Sequence, residues 1–125
     1  MNRRAGNTDQ APPVAGPYSQ SVRIGNIVAA AGQAGIAPNG VTATGIEDQT
    51  RQAFENVVAT LGAVGATMED VIHVRVYLTD PTQFSTMNAV YSEFFQAPYP
   101  ARTTVYVQLP RDLLVEVDAL AVVAD

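Results

Sequence analysis

A chain of 125 residues, 47% hydrophobic and only 15% charged against about 25% in ordinary soluble proteins, fits one domain, excludes a two-domain enzyme and is expected to bury surface against further copies of itself. Seven Lys plus Arg against twelve Asp plus Glu give a net charge of -5, so there is no global positive field to collect nucleic acid or anionic lipid, and neither partner is expected. With no cysteine and one histidine, His73, the chain lacks the residues for a disulfide, a thiolate nucleophile or a His/Cys metal cluster, and a Ser-His-Asp hydrolase is a poor fit.

Residues 1–14 mix Asn, Arg, Gly, Thr, Asp, Gln and Pro and read as a loose arm, with a single domain over 15–125. Val22, Ile24, Ile27 and Val28 around Gly25-Asn26 predict a hairpin whose second strand reaches Ala31. Five Gly, Pro and Asn residues between Gly32 and Gly40 then predict a loop. Thr44 and Glu47 have capping-box spacing, and Ile46, Ala53, Val57, Leu61 and Val64 recur at helical period, which predicts a helix of about 18 residues. Val71 to Leu78 alternates as a strand, with Ile72, Val74, Val76 and Leu78 on the face toward the helices. Asp80-Pro81 opens a second helix, with Gln83 placed to reach back and an apolar stripe of Phe84, Met87, Val90, Tyr91, Phe94 and Phe95. Pro98 and Pro100 end it; strands follow over Ala101–Leu109 and Leu113–Val123, separated by a turn at Pro110-Arg111-Asp112.

This order predicts an α+β domain: a mixed sheet with two helices on one face and the other face, carrying Arg75, Arg102, Tyr106 and Glu116, left to be covered by neighbouring subunits. No apolar run approaches the roughly 18 residues of a membrane span, and residues 1–14 lack the core of a signal peptide, so no membrane association and a cytoplasmic location are expected.

Polar residues mounted on strands are the candidates for chemistry. Arg102 opens a strand, where its planar guanidinium suits a carboxylate ligand; a structural ion pair is the commoner use. Glu116 lies within an apolar strand and either orients a water or pairs with an arginine across an interface. Tyr18 follows the Gly16-Pro17 turn, so its phenol either meets a ligand or simply packs. His73 reads as a strand histidine held by its neighbours, and Asn88 as a helix residue beside the apolar stripe. Gly32-Gln33-Ala34-Gly35 has neither the spacing nor the lysine of a phosphate loop, and the chain contains no lysine at all.

Taken in order, Gly16-Pro17-Tyr18-Ser19-Gln20, Ala31-Gly32-Gln33, Gln49 through Asn56, Asn88 through Phe95, Pro100-Ala101-Arg102, Leu109-Pro110 and Val115-Glu116-Val117 resemble the Rid family of reactive intermediate/imine deaminases, once named for YjgF. The resemblance runs from about Pro13 to the C-terminus. It implies a chorismate-mutase-like fold, a homotrimer with three sites between subunits, and hydrolysis of 2-imino acids and 2-enamines such as 2-aminoacrylate and 2-iminopropionate to 2-keto acids and ammonia; given the absent ligand sets, no metal or cofactor is expected. By the same resemblance Arg102 binds the substrate carboxylate, Tyr18 lines the cleft from a neighbouring subunit and Glu116 holds the attacking water. Asn88, Gly32, Ala31 and Thr104 belong to the substrate-binding region. Ala31 stands where many members carry serine, Thr104 where archetypal members carry cysteine, and the stretch between Phe95 and Pro100 is short. A pathway-specific deaminase or isomerase of an enamine such as an aminomuconate, and a non-catalytic module binding a small carboxylate or a protein, are the alternative readings.

Overall fold

The computed structural model describes residues 2–124; Met1 and Asp125, the ends of the expected arm and domain, lie outside the described residues. The arm is not loose. Arg4–Gly6 forms β1, paired antiparallel with β2 (Ser21–Ile24), and Ala11 is buried. The reason is one buried side chain: Gln20 accepts from the Thr8 N–H at 2.8 Å and donates to the carbonyls of Thr8 and Pro12 at 3.0 and 2.9 Å. A polar composition does not reveal a tether of this kind.

Gly25, at φ 55°, makes the expected turn between β2 and β3 (Ile27–Ala34). β3 runs three residues past the predicted end at Ala31. An irregularity in its pairing between Ala30 and Gln33 lets it absorb Gly32 and continue. The helix α1 (Gly45–Gly62) has the predicted length of 18 residues and buries Ala53, Phe54, Val57 and Leu61. Thr44 is its N-cap residue, yet its side chain makes no capping bond; a capping box forms instead at Thr67 and Asp70, around a 3-10 turn at Met68–Asp70.

β4 (Val71–Leu78) matches its predicted span but not its predicted faces throughout. A pairing irregularity between Val71 and His73 turns Val71 into the core and leaves Ile72 50% exposed. Asp80 accepts from the Thr82 N–H at 2.9 Å and starts a 3-10 turn, Pro81–Gln83, that leads into α2 (Phe84–Phe94). Gln83 does not reach back; its Oε1 is buried with no hydrogen-bond partner. β5 (Ala101–Tyr106) and β6 (Val115–Val122) complete a six-stranded sheet in the order β1-β2-β3-β6-β4-β5, antiparallel except for β4 and β5.

The two strand-helix-strand crossovers, β3 to β4 and β4 to β5, place α1 and α2 on the same face. Phe54 of α1 centres the core, its ring 5.6 Å from Tyr91, 5.3 Å from Phe94 and 5.8 Å from Phe95. The opposite face keeps Ile24, Ile27, Ile72, Leu120 and Val122 between 38% and 58% exposed. Among the described residues, no helix is long and apolar enough to cross a membrane.

Candidate active site

Strand register assigns the candidate residues to two sets. Arg102 pairs with the core residue Val74 and Thr104 with Val76, so both side chains lie on the helix side of the sheet. This corrects the expectation that Arg102 and Tyr106 share the open face with Arg75 and Glu116, since Tyr106 pairs with the buried Leu78. Glu116 pairs with Tyr77 and alternates with the buried Val115 and Val117, which turns it to the open side.

On the helix side, the Arg102 guanidinium carbon stands 4.7 Å from the centroid of the Tyr91 ring and 5.5 Å from that of Phe84, both on α2. No carboxylate among the described residues lies within ion-pair distance of it. The structural ion pair weighed from sequence is therefore not made among the described residues. Asn88, one turn from Phe84 on the same helix, is half-buried, with Oδ1 unpartnered. Phe84 and Tyr91 read in sequence only as core stripe. Their spacing of seven residues puts both rings under one strand residue, a signal visible only once β5 is placed over α2.

On the open side, Glu116 lies over Gly32: a Cβ on that glycine would sit 2.6 Å from Oε2. Glu116 is half-buried, and burial first, then the negative charge of Asp118, raises its pKa above the ordinary carboxylate value. Asp118 itself accepts from Arg75 Nε at 2.9 Å and from the Tyr77 hydroxyl at 3.0 Å. Ala31, beside Gly32, donates its N–H to the Gln20 carbonyl at 3.0 Å, which joins the strand under Glu116 to the Tyr18 segment. Tyr18 sits on a tight three-residue turn (N–H to Gly16 carbonyl, 2.8 Å); it is 53% exposed, and its hydroxyl accepts from the Ala15 N–H at 3.1 Å. His73 stays a strand histidine, with Nε2 3.3 Å from Thr103 Oγ1.

The motif residues Gln49 and Asn56 have a bracing role that sequence reasoning did not assign. Gln49 donates to the carbonyls of Ala43 and Asp112 and accepts from the Leu114 N–H, while Asn56 donates to the Ile36 carbonyl at 2.8 Å. Together they pin to α1 the loops that flank β3 and β6. A cavity of about 670 Å³ opens at the other end of the sheet, lined by Met68, Val71, Phe95, Pro98 and Pro100; neither Arg102 nor Glu116 lines it. Among the described residues there is no cluster of three or more His, Cys, Asp or Glu side chains arranged to hold a metal.

A family model described as endoribonuclease L-PSP matches residues 8–123. A RutC family protein of Pyrococcus horikoshii is 48% identical over 91% of this chain and 93% of its own length. The chain belongs to the Rid (YjgF/RutC) family. A 2-iminobutanoate/2-iminopropanoate deaminase of Dermatophagoides farinae is 40% identical over 97% of both chains. The crystal structure of Escherichia coli TdcF with bound serine superposes with a TM-score of 0.92 at 39% identity, over 97% of this chain and 99% of that one. The Rid-family resemblance of the motifs thus holds over the whole fold.

Proposed function

We propose that this chain hydrolyses reactive 2-imino acids and their enamine tautomers to 2-keto acids and ammonia, at three sites of a homotrimer, each built from two subunits. Relatives named as 2-iminobutanoate/2-iminopropanoate deaminases support the reaction class. The observation that carries the site is the separation of Arg102, Thr104 and Asn88 from Glu116, Gly32 and Ala31 by the sheet itself. A small substrate cannot touch both sets in one chain; a neighbouring subunit that packs on the exposed open face and reaches round the edge strand β5 brings its own second set to the first. Low charge content and the apolar residues of that face support the same assembly.

In this reading Arg102 holds the substrate carboxylate by two parallel hydrogen bonds, and Tyr18, Ala31 and Gly32 of the neighbouring subunit wall the cleft. Glu116 orients a water toward the imine carbon. Water adds to C2, one of its protons passes by way of Glu116 to the nitrogen, and the resulting aminoalcohol expels ammonia as its hydroxyl becomes the keto oxygen. The imine carbon is already electrophilic, so positioning and one proton carrier suffice, without cofactor or metal. Burial, and then Asp118, raise the pKa of Glu116, which makes its carboxylate a better proton acceptor than an ordinary one.

The test is the rate of imino-acid hydrolysis by the wild-type chain and by Arg102→Ala, with the assembled mass, expected at about 40 kDa, confirmed by light scattering for both. Removal of a charge-assisted bidentate contact is expected to cost on the order of 2 to 4 kcal/mol, or roughly 30- to 1,000-fold in kcat/KM. Normal turnover and normal 2-keto acid binding by intact Arg102→Ala trimers would leave the non-catalytic module as the better reading. Ala31 and the short 96–99 stretch favour, as the second reading, a pathway-specific enamine deaminase or isomerase. A panel of enamine acids of increasing size separates the two.

A further inference from the structure

Among the described residues the Arg102 guanidinium has no acidic partner and donates no hydrogen bond, yet it is not left to wander. It lies over Tyr91 and Phe84, with its carbon 4.7 and 5.5 Å from the two ring centroids. Tyr91 is itself immobilised. It is only 5% exposed, meets Phe54 edge to face at 5.6 Å and 80°, and packs on Phe95 at 4.8 Å. Phe54 in turn is 1% exposed at the centre of the core. A rigid chain of rings thus runs from the core to the one cation proposed to meet substrate. The Tyr91 hydroxyl contributes nothing visible to it, being buried with no hydrogen-bond partner.

We propose that Tyr91, assisted by Phe84, is the positioning residue of this site: its ring fixes the plane of the Arg102 guanidinium, so that the N–H edge and not the face is presented to the incoming carboxylate. The inference rests on the reading of Arg102 as the carboxylate anchor and deepens it. A guanidinium binds a carboxylate through two parallel hydrogen bonds only in its own plane. An exposed arginine samples many planes; a ring beneath it restricts them before substrate arrives, which lowers the ordering cost of binding. The same restriction aims the imine carbon, since C2 is bonded directly to the carboxylate.

Imine hydrolysis and calorimetric binding of 2-oxobutanoate, measured on Tyr91→Phe, Tyr91→Leu, Arg102→Ala and the Tyr91→Leu/Arg102→Ala double variant, test the proposal. Tyr91→Phe keeps the ring and is expected to match wild type in both. Tyr91→Leu is expected to weaken 2-oxobutanoate binding about 5- to 30-fold and to raise KM accordingly. In the Arg102→Ala background the leucine substitution is expected to add nothing, because its effect travels through the guanidinium; a merely structural loss would be additive. Wild-type behaviour of Tyr91→Leu, failure of Tyr91→Phe to match wild type, or additivity in the double variant, with Arg102→Ala itself impaired, overturns the inference and leaves the anchor in place. An unimpaired Arg102→Ala overturns the anchor instead. If Tyr91→Leu fails to assemble, Phe84→Leu, at the less buried ring, decides: the same loss to a smaller degree is expected, and unchanged binding overturns the inference.

Discussion

Gly32 and Glu116 are in such close contact across β3 and β6 that a methyl group has no place between them. A Cβ on Gly32 would stand 2.6 Å from Glu116 Oε2 and 3.1 Å from its Cδ. The obstructing atoms are the far end of a flexible side chain, so Gly32→Ala is expected to displace the carboxylate and leave the strand intact. Thermal stability should change by only a few degrees, whereas turnover should fall about 10- to 100-fold, since misplacing a catalytic group by about 1 Å costs this much. Parallel melting curves and single-substrate kinetics check it; a fall in stability with normal turnover would remove Glu116 from the chemistry.

The raised pKa of Glu116 has a consequence for stability whose sign is opposite to that of a salt-bridged carboxylate. Burial, and then Asp118, disfavour its ionised form in the fold. The folded chain therefore holds this proton more tightly than the unfolded chain, whose glutamate titrates near about 4.3. The corresponding stability is present in full below that value and is lost as pH rises through the folded pKa. Glu116→Gln, which cannot ionise, should thus raise the melting temperature relative to wild type at pH 7 more than at pH 4. The same substitution should lower kcat more than 2-keto acid affinity. In the wild-type enzyme the acid limb of the kcat/KM profile should lie above the ordinary glutamate value.

Gln49 provides a purely structural contrast. Its amide joins Ala43, Asp112 and Leu114 to α1, and it is almost completely buried. Gln49→Ala strands two carbonyls and one N–H, which is expected to cost about 2 to 4 kcal/mol and to lower the melting temperature by roughly 10 °C. Gln52→Ala, which removes one bond to Asn56, should cost under about 1 kcal/mol. Chemical denaturation of both variants provides the comparison.

What could be read from the chain follows from how local the determinants are. The span of β4, the length of α1 and the Gly25 turn rest on period and turn chemistry within a few residues, and all three stand in the structure. The face of Ile72 and the extension of β3 depend on irregular pairing with β6, some 40 to 90 residues away in the chain, and no local pattern encodes them. Arg102 stands out in the sequence as a charged residue on a strand, but its face does not, and the structure puts it on the helix side. A parallel edge strand takes its register from β4, so the alternation within Pro100-Ala101-Arg102 leaves two choices open. Packing of the arm through Gln20 was invisible for a related reason: one polar side chain meeting three main-chain groups leaves no periodic trace.

Placement of Arg102 and Glu116 on opposite faces of one sheet makes the two-subunit site testable without a structure of the assembly. Arg102→Ala and Glu116→Gln chains should each form trimers with little activity. Unfolded together, mixed in equal amounts and refolded, they should assemble at random. A site that takes its arginine from one subunit and its glutamate from the next is then intact whenever the first is a Glu116→Gln chain and the second an Arg102→Ala chain. That occurs in about a quarter of sites, so about a quarter of wild-type activity should return. If both residues served a site within one chain, every site would keep one defect and mixing would restore nothing. Arg102→Ala mixed with itself supplies the baseline, and Arg102→Lys in place of Arg102→Ala should complement Glu116→Gln to the same extent. The lysine ammonium keeps the charge but not the planar fork, so the Lys chain's own carboxylate anchor stays impaired while its Glu116 remains available to a neighbour. Recovery near the predicted fraction, appearing only after subunit exchange, is the outcome expected of sites shared around the trimer. Activity that stays at baseline in confirmed mixed trimers would return the search for the site to a single chain.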